Sequence, residues 1–281
     1  MNMERTTYRN ARTERRSMKR RELLMCGGMA LGGIMAGLAD AETGKAGEAE
    51  APEWGYVPID PVETAKKAYE LYKDGSCMYA SFRSIVESVG EARCQIHPSE
   101  ALQWGAFPYY MTYYGKGGIH GYGTVCGILN GCAAAICLLV PDSKEAKALT
   151  MELFKFYETT PLPHFVPENP KFTDIPQTVS ESVICHVSVS RWTAEADETA
   201  ESPRRKERCM RLVADCVAKA VELLNAHWEA KKGGGSCPAF ELGEPAASCT
   251  VCHNPEGEMP GTNVKMNCSV CHDQDEDHGR K

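Results

Sequence analysis

Two short segments near the C-terminus repeat one arrangement of thiols and an imidazole. Residues 249–253 read Cys-Thr-Val-Cys-His, and residues 268–272 read Cys-Ser-Val-Cys-His. In such a motif the two thiols can add across the two vinyl groups of a haem, and the histidine is placed to bind the iron from one face. The repeat therefore predicts two covalently attached c-type haems. The predicted attachment residues are Cys249, Cys252, Cys268 and Cys271, and the predicted proximal iron ligands are His253 and His272.

The same four cysteines also have the spacing of a zinc ribbon, in which four thiolates hold one Zn²⁺ ion. A zinc ribbon does not need a histidine after each pair, and here both pairs have one. The haem interpretation explains more of the sequence, and zinc or paired disulfides are the weaker alternatives. Because the segment is short and poor in apolar residues, the preceding domain or a second subunit must supply the walls of the haem sites.

The N-terminus has the features of an export signal. A basic run ends in Lys19-Arg20-Arg21, a glycine-rich apolar stretch follows, and small residues close it at Ala39-Asp40-Ala41. This order predicts a twin-arginine signal at residues 1–41 and a periplasmic protein. The apolar part is shorter than the roughly 20 residues that span a bilayer, so no transmembrane anchor is expected. Residues 42–53 are small and acidic, and we interpret them as a linker.

The predicted mature chain is acidic. Residues 1–41 hold eight Lys or Arg and four Asp or Glu, so their removal leaves 23 against 34, a formal charge of −11. Nucleic acid binding needs a basic face, so this balance argues against a nucleic acid partner. Twin-arginine export carries folded proteins, whereas covalent haem is attached after export. A second, earlier cofactor is therefore expected among the nine other mature cysteines.

The region 54–235 is predicted to be mainly α-helical. Asp60-Pro61 begins a helix that stops at Gly75, and Ser76 begins another that runs to about Val89. Further helices are predicted from Cys126 to about Leu139, from Asp142 to about Thr159, and from Ser202-Pro203 to about Lys232. A tight Tyr- and Gly-rich loop is predicted at 109–123, and a Pro-rich loop at 161–176. Residues 180–192 suit a strand or a helix, and we favour a helix. The fold class is thus a compact helical domain with a short C-terminal dihaem tail, residues 236–281.

Four segments resemble a known pattern: Ser-Cys-Met-Tyr-Ala at 76–80, Thr-Val-Cys-Gly-Ile-Leu-Asn-Gly at 124–131, Ile-Cys-His-Val at 184–187 and Arg-Cys-Met-Arg-Leu-Val at 208–213. They resemble the C-GCAxxG-C-C family of redox proteins. With two haem motifs and an export signal, the chain resembles the split-Soret cytochromes c over roughly residues 55–272. One departure is Ile128, where the family has alanine.

The resemblance implies a mostly helical homodimer with two bis-histidine haems per subunit, haems near the interface and an iron-sulfur cluster, which we expect to be [2Fe-2S]. Carried onto this sequence, it implies Cys77, Cys126, Cys185 and Cys209 as cluster ligands. Buried thiols or disulfides are the alternative for these four. Cys132 and Cys216 are the next candidates, whereas Cys94, Cys137 and Cys237 are interpreted as structural.

The distal haem ligands must come from the remaining histidines. His120 is the first candidate because it lies between Gly117-Gly118 and Gly121, where the backbone allows a haem to come close. His186 is the second because it neighbours Cys185. His227 and His278 are less suitable, since one is near the end of a long helix and the other is in an acidic tail.

The leading hypothesis for function is electron transfer between redox partner proteins through two haems, with the iron-sulfur cluster as a further relay. The alternative is a haem-dependent reductase of a small oxyanion or peroxide. A second protein ligand on each iron would favour electron transfer, whereas an open coordination position would favour the enzyme.

Overall fold

A computed structural model describes residues 54–235, 246–256 and 265–272. The predicted export signal (1–41), the linker (42–53), Cys237 and His278 lie outside these residues. No helix in the described ranges is long and apolar enough to cross a membrane.

The first helix, α1 (Pro61–Ile96), begins and breaks where the sequence predicts. The Asp60 carboxylate accepts hydrogen bonds from the backbone N–H groups of Val62 (2.7 Å) and Glu63 (3.1 Å), which caps the N-terminus. At Ser76 the backbone leaves the helical region (φ 70°, ψ −160°), so α1 is two helices joined at a kink.

The predicted end of α1 near Val89 is wrong. Gly90 does not stop the helix because it packs tightly under the ring of Trp104, where a Cβ atom would lie 3.0 Å from the indole. The helix continues to Ile96 and stops at His97, since the residue before a proline is disfavoured in the helical conformation.

A short 3₁₀ turn (Pro98–Glu100) and α2 (Ala101–Gly105) fold back on the end of α1. Glu100 ties these pieces together by accepting hydrogen bonds from Arg93 Nε (2.7 Å) and Trp104 Nε1 (3.0 Å). These bonds hold the pKa of Glu100 at about 2.

The predicted Tyr- and Gly-rich loop contains a 3₁₀ helix (Tyr109–Gly115), and six of the seven residues from 117 to 123 that follow it have positive φ angles. It leads into α3 (Gly127–Leu139), for which Cys126 is the N-cap residue. Next is α4 (Ser143–Thr159), capped by the Asp142 carboxylate as predicted.

Residues 160–184 form a connection that includes the predicted Pro-rich loop. The preference for a helix across 180–192 is only partly right: α5 spans Cys185–Ala196, and residues 180–184 are non-helical. The longest uninterrupted helix, α6 (Pro203–Lys232), has the predicted bounds, with the Ser202 hydroxyl accepting from Arg205 N. In the tail, α7 (Ala246–Cys252) and a 3₁₀ turn (Cys268–Val270) carry the two haem motifs.

The described part of the domain is mainly α, as predicted. The two halves of α1 pack against α6 and α3, and α4 closes the other side against α3 and α6. The described residues form no strand, and their only β pairings are two isolated bridges, Val125 with Ile184 and Leu162 with Thr178. The first of these bridges builds the site described next.

Candidate functional site

The four cysteines implied as cluster ligands come from four different elements and lie at one end of the helix bundle. Cys77 directly follows the kink of α1, Cys126 is the N-cap residue of α3, and Cys185 is the first residue of α5. Cys209 lies in the second turn of α6. All but Cys185 are buried. Helix N-termini favour negative charge, so for three of these thiols the helix offsets part of the cost of burying a thiolate.

The bridge between Val125 and Ile184 sets Cys126 beside Cys185. Cys126 N donates to Val183 O (2.8 Å), and Cys185 N donates to Thr124 O (2.7 Å). The two thiols are hydrogen-bonded to each other, which raises the pKa of Cys126 and lowers the pKa of Cys185. Without a bound metal, Cys185 is therefore the more acidic thiol of the pair.

Cys77 and Cys209 complete the group. The charge of Cys77 interacts with those of Cys126 and Cys209, and the charge of Cys185 interacts with those of Cys77 and Cys209. Burial raises the pKa of Cys77, and the Gly117 N–H and the Ser76 hydroxyl oppose that shift. The structure therefore brings the four predicted cysteines together.

A glycine keeps this end of the bundle tight. A Cβ atom at Gly127 would lie 3.2 Å from the Cys77 sulfur and 3.1 Å from the Gly115 carbonyl carbon, and closer still to the Gly115 oxygen. The Tyr- and Gly-rich loop therefore approaches Cys77 and the start of α3 directly. The predicted close backbone approach is confirmed, and what the loop approaches is the thiol group.

Two arginines face the thiols. Arg205 Nη1 and Arg208 Nη1 lie 3.9 and 4.0 Å from the Cys209 sulfur. Arg208 is only 1% exposed; its Nη2 donates to Ser188 Oγ (2.9 Å), and its Nε has no hydrogen-bond partner among the described residues. Burial opposes the charge of Arg208, but Cys209 and Tyr157 raise its pKa, so it stays charged.

The buried charge of Arg208 tests whether the site suits an iron-sulfur cluster. A buried guanidinium with no carboxylate hydrogen-bonded to it is costly unless an anion compensates it. A cluster on four thiolates is negatively charged and would supply that anion. The donor set and the buried positive charge therefore fit the group.

The arrangement of the four cysteines differs from that of a site that binds a single metal ion. Within the described ranges, no group of three or more His, Cys, Asp or Glu side chains is placed to hold a metal ion. In a [2Fe-2S] centre each iron takes two of the four ligands, so the thiols bind different irons.

The next candidates for cluster ligands, Cys132 and Cys216, lie beneath the site. Cys132 and Cys216 are both fully buried, and the Cys132 sulfur is 3.9 Å from the Cys216 carbonyl oxygen. Burial raises the pKa of both thiols. They pack between α3 and α6 as protonated core residues. Of the cysteines interpreted as structural, Cys94 is half-buried and Cys137 is exposed.

The two haem motifs lie next to each other. The thiols of Cys249 and Cys268 are close enough for a hydrogen bond, and burial together with Cys249 raises the pKa of Cys268. In each motif the histidine N–H donates to the first cysteine, from His253 to Cys249 O and from His272 to Cys268 O, both at 3.0 Å. Each motif is thus one closed turn, with Cys252 and Cys271 exposed at its end.

Both candidate distal ligands have exposed imidazoles on neighbouring segments. His120 has φ 48° in the glycine-rich loop, and its N–H donates to Tyr114 O (2.8 Å). His186 is the second residue of α5, and its N–H donates to Gly123 O (3.2 Å) at the end of that loop. His227 is engaged by Glu145 at 2.9 Å, in keeping with its lower rank.

Several residues of the site were not predicted from the sequence. Arg208, Tyr72 and Tyr157 line the thiols, and Tyr157 also donates to Ser188 Oγ (2.8 Å). The sequence does carry a signal for Arg208, because Arg208 directly precedes Cys209 and Arg205 lies one turn before Cys209. The tyrosines approach only through packing between helices.

Comparisons with known proteins agree with these observations. The family described as "Putative redox-active protein (C_GCAxxG_C_C)" matches residues 107–223. The split-Soret cytochrome c of Desulfovibrio desulfuricans (strain ATCC 27774) is 36% identical over 271 residues, which cover 90% of this chain and 94% of that protein.

A solved structure is also similar to this chain. It is described as a novel iron centre in the split-Soret cytochrome c from Desulfovibrio desulfuricans ATCC 27774. The two structures superpose with a TM-score of 0.69 at 36% identity, covering 79% of this chain and 92% of that chain. The chain therefore belongs to the split-Soret cytochrome c family and is a redox protein of the electron-transfer type.

Proposed function

We propose that this chain is a periplasmic electron-transfer protein that carries two c-type haems and one [2Fe-2S] cluster. The observation that carries the proposal is the close placement of its two haem motifs, whose first thiols are within hydrogen-bonding reach of each other. Two haems attached there would lie close together, which suits passing single electrons. The related Desulfovibrio protein is a cytochrome c with an iron centre, which supports haem and iron in this chain.

The haem residues have separate roles. Cys249 and Cys252 would hold one haem, Cys268 and Cys271 would hold the other, and His253 and His272 would each bind one iron. His120 and His186 are the proposed distal ligands, since both imidazoles are exposed. When bound, the haems supply reversible one-electron oxidation and reduction. The protein's part would be to give each iron two histidine ligands and to keep the two haems close together.

The cluster residues act in a different way. Cys77, Cys126, Cys185 and Cys209 would hold the irons as thiolates, and the other residues set their environment. Arg205 and Arg208 offset the negative charge of the site. The Gly117 N–H faces the Cys77 sulfur, and the Tyr157 hydroxyl faces the Cys126 sulfur. Burial keeps water away from the thiols of Cys77, Cys126 and Cys209.

Export and assembly are further parts of the proposal. The basic run before an apolar stretch supports twin-arginine export of residues 42–281 after cleavage. A homodimer with the haems near its interface would help to cover them, because His120, His186, Cys252 and Cys271 are exposed in the single chain. The partners would be redox proteins with basic docking surfaces, which complement the acidic mature chain.

Carbon monoxide binding separates electron transfer from the reductase alternative. The experiment records visible spectra of the purified, reduced protein with and without carbon monoxide. Haems with two histidine ligands do not bind the gas, so we expect unchanged spectra. A shift that accounts for one haem per chain would show an open iron and would support the reductase instead.

A further inference from the structure

Two buried arginines of α6 have different partners. Arg211 Nε donates to the Glu207 carboxylate (2.9 Å), so the charge of Arg211 is compensated within the helix. Arg208 has no carboxylate partner among the described residues, where the one oxygen that accepts from its guanidinium is Ser188 Oγ, 2.9 Å from Nη2. A serine hydroxyl is neutral, so it holds the guanidinium in place without cancelling its positive charge.

Ser188 joins three helices through one oxygen atom. It lies in α5, and its Oγ accepts from Arg208 Nη2 of α6 and from the Tyr157 hydroxyl of α4 (2.8 Å). A serine oxygen has two lone pairs, so both of its acceptor positions are filled. Each of the three residues is only 1% exposed, so solvent does not compete for these hydrogen bonds.

The position of Ser188 is fixed relative to the thiols. Ser188 lies one turn after Cys185, and its backbone N–H donates to Ile184 O (3.0 Å), in the bridge that sets the two cysteine segments side by side. The Arg208 guanidinium that is bonded to Ser188 has its other terminal nitrogen, Nη1, 4.0 Å from the Cys209 sulfur. One planar guanidinium therefore spans the distance from the Ser188 hydroxyl to the thiol of Cys209.

We propose that Ser188 is a positioning residue that aims the Arg208 guanidinium at the Cys209 sulfur and thereby helps to set the reduction potential of the cluster. The inference rests on the proposed function for the presence of that cluster. Without the hydroxyl, Arg208 Nη2 and the Tyr157 hydroxyl lose their buried acceptor, and the guanidinium turns toward another one. Its positive charge then lies farther from the sulfur and stabilises the reduced cluster less.

The experiment is a double-mutant cycle on the full-length mature protein, made of the wild type, Ser188→Ala, Arg208→Met and the double variant. Redox titration, followed by the paramagnetic signal of the reduced cluster, gives the potential of each protein. Ser188→Ala should lower the potential in the same direction as Arg208→Met, but by less. In the Arg208→Met background the same change should have no effect on the potential, because the guanidinium through which Ser188 acts is gone.

The matched control is Ser84→Ala, which removes another fully buried hydroxyl. Ser84 Oγ is bonded within its own helix, to Ser81 O (3.2 Å), so the control should have the wild-type potential. A merely structural role of Ser188 predicts a different pattern, in which Ser188→Ala shifts the potential equally in both backgrounds. That result, or an unchanged potential in Ser188→Ala, would overturn the inference.

Urea unfolding of the same four proteins after removal of the cluster tests the contact without the cofactor. Ser188→Ala should raise the equilibrium constant for unfolding about tenfold or more in the wild-type background. It should raise the constant by less in the Arg208→Met background, where only Tyr157 loses an acceptor. Equal effects in the two backgrounds would refute the contact between Ser188 and Arg208.

The two measurements separate this inference from the proposed function. A purified protein without a cluster would refute the proposed function, and the unfolding cycle would still show whether Ser188 holds Arg208. A protein that has the cluster, but in which the two substitutions change the potential additively, would refute the inference and leave the proposed function standing.

Discussion

The substitution Arg208→Met tests whether the buried guanidinium faces a negatively charged cluster. Arg208 is 1% exposed and has no carboxylate among its hydrogen-bond partners in the described residues. Methionine has a long unbranched side chain, so it fills much of the space and removes the charge. A nearby positive charge favours the reduced, more negative cluster. We therefore expect the variant to have a lower reduction potential.

The size of the shift follows from the geometry. The guanidinium lies 4.0 Å from the Cys209 sulfur, and the added electron would be spread over atoms beyond that sulfur. Between unit charges at an effective dielectric constant of 20, the interaction is about 4 kcal/mol at 4 Å and about 2 kcal/mol at 8 Å. Since about 1.4 kcal/mol corresponds to about 59 mV for one electron, the potential should fall by roughly 90 to 170 mV.

The assay is a redox titration followed by the paramagnetic signal of the reduced cluster. Arg208→Lys keeps a positive charge and should shift the potential by less than half as much. Arg191→Met is the control, because Arg191 pairs at the surface with Glu181 and should not affect the cluster. In cluster-free protein, Arg208→Met should be at least as stable as the wild type, since it removes an uncompensated buried charge. An unchanged or higher potential in Arg208→Met would refute the assignment of Arg208 to the site.

Three further predictions concern packing, pH and haem ligation. Gly131→Ala should lower the free energy of unfolding, measured in urea, by about 1 to 3 kcal/mol, because the added Cβ would meet the backbone of α1. The control Gly105→Ala has open space around the added Cβ and should not lower it. Equal stabilities of the two variants would contradict the packing. Glu100→Gln should destabilise the protein at pH 7 but not at pH 2. Because the pKa of this carboxyl is depressed in the folded protein, its stabilising effect is present above its unfolded pKa of 4.5 and is lost as the pH falls toward 2. An equal loss of stability in Glu100→Gln at both pH values would reject this role of the carboxylate. His120→Ala or His186→Ala should convert one haem to a high-spin, carbon monoxide-binding form, and two low-spin haems in a variant would exclude that histidine as a ligand.

Much of the helical frame is predictable because its boundaries are local. Asp60, Asp142 and Ser202 each cap a helix through their own side chains, and such bonds depend only on residues two or three positions away. The end of α1 is different. Gly90 looks like a residue that ends the helix, but it packs against Trp104, which comes from another element, and the helix continues past it.

The candidate site also has a part that the sequence predicts and a part that it does not. The cysteines could be named from short segments, and the structure brings Cys77, Cys126, Cys185 and Cys209 together. The bridge that pairs Cys126 with Cys185 joins residues far apart in the chain, so periodicity could not reveal it. Arg208 was missed for a related reason. Its significance lies in being buried without a carboxylate beside it, and burial of a charged residue is decided by packing.

The most direct test of the proposed cofactors is a count of haem and iron in the purified mature protein and in two variants, Cys126→Ser and Cys137→Ser. The intact mass of the wild type should correspond to a chain cleaved near Glu42 with two haems attached, and the iron content should exceed two atoms per chain. The excess iron should vanish in Cys126→Ser and persist in Cys137→Ser, whose thiol is exposed and outside the site. Iron that does not exceed the haem content, or zinc in a chain without covalent haem, would contradict the proposal.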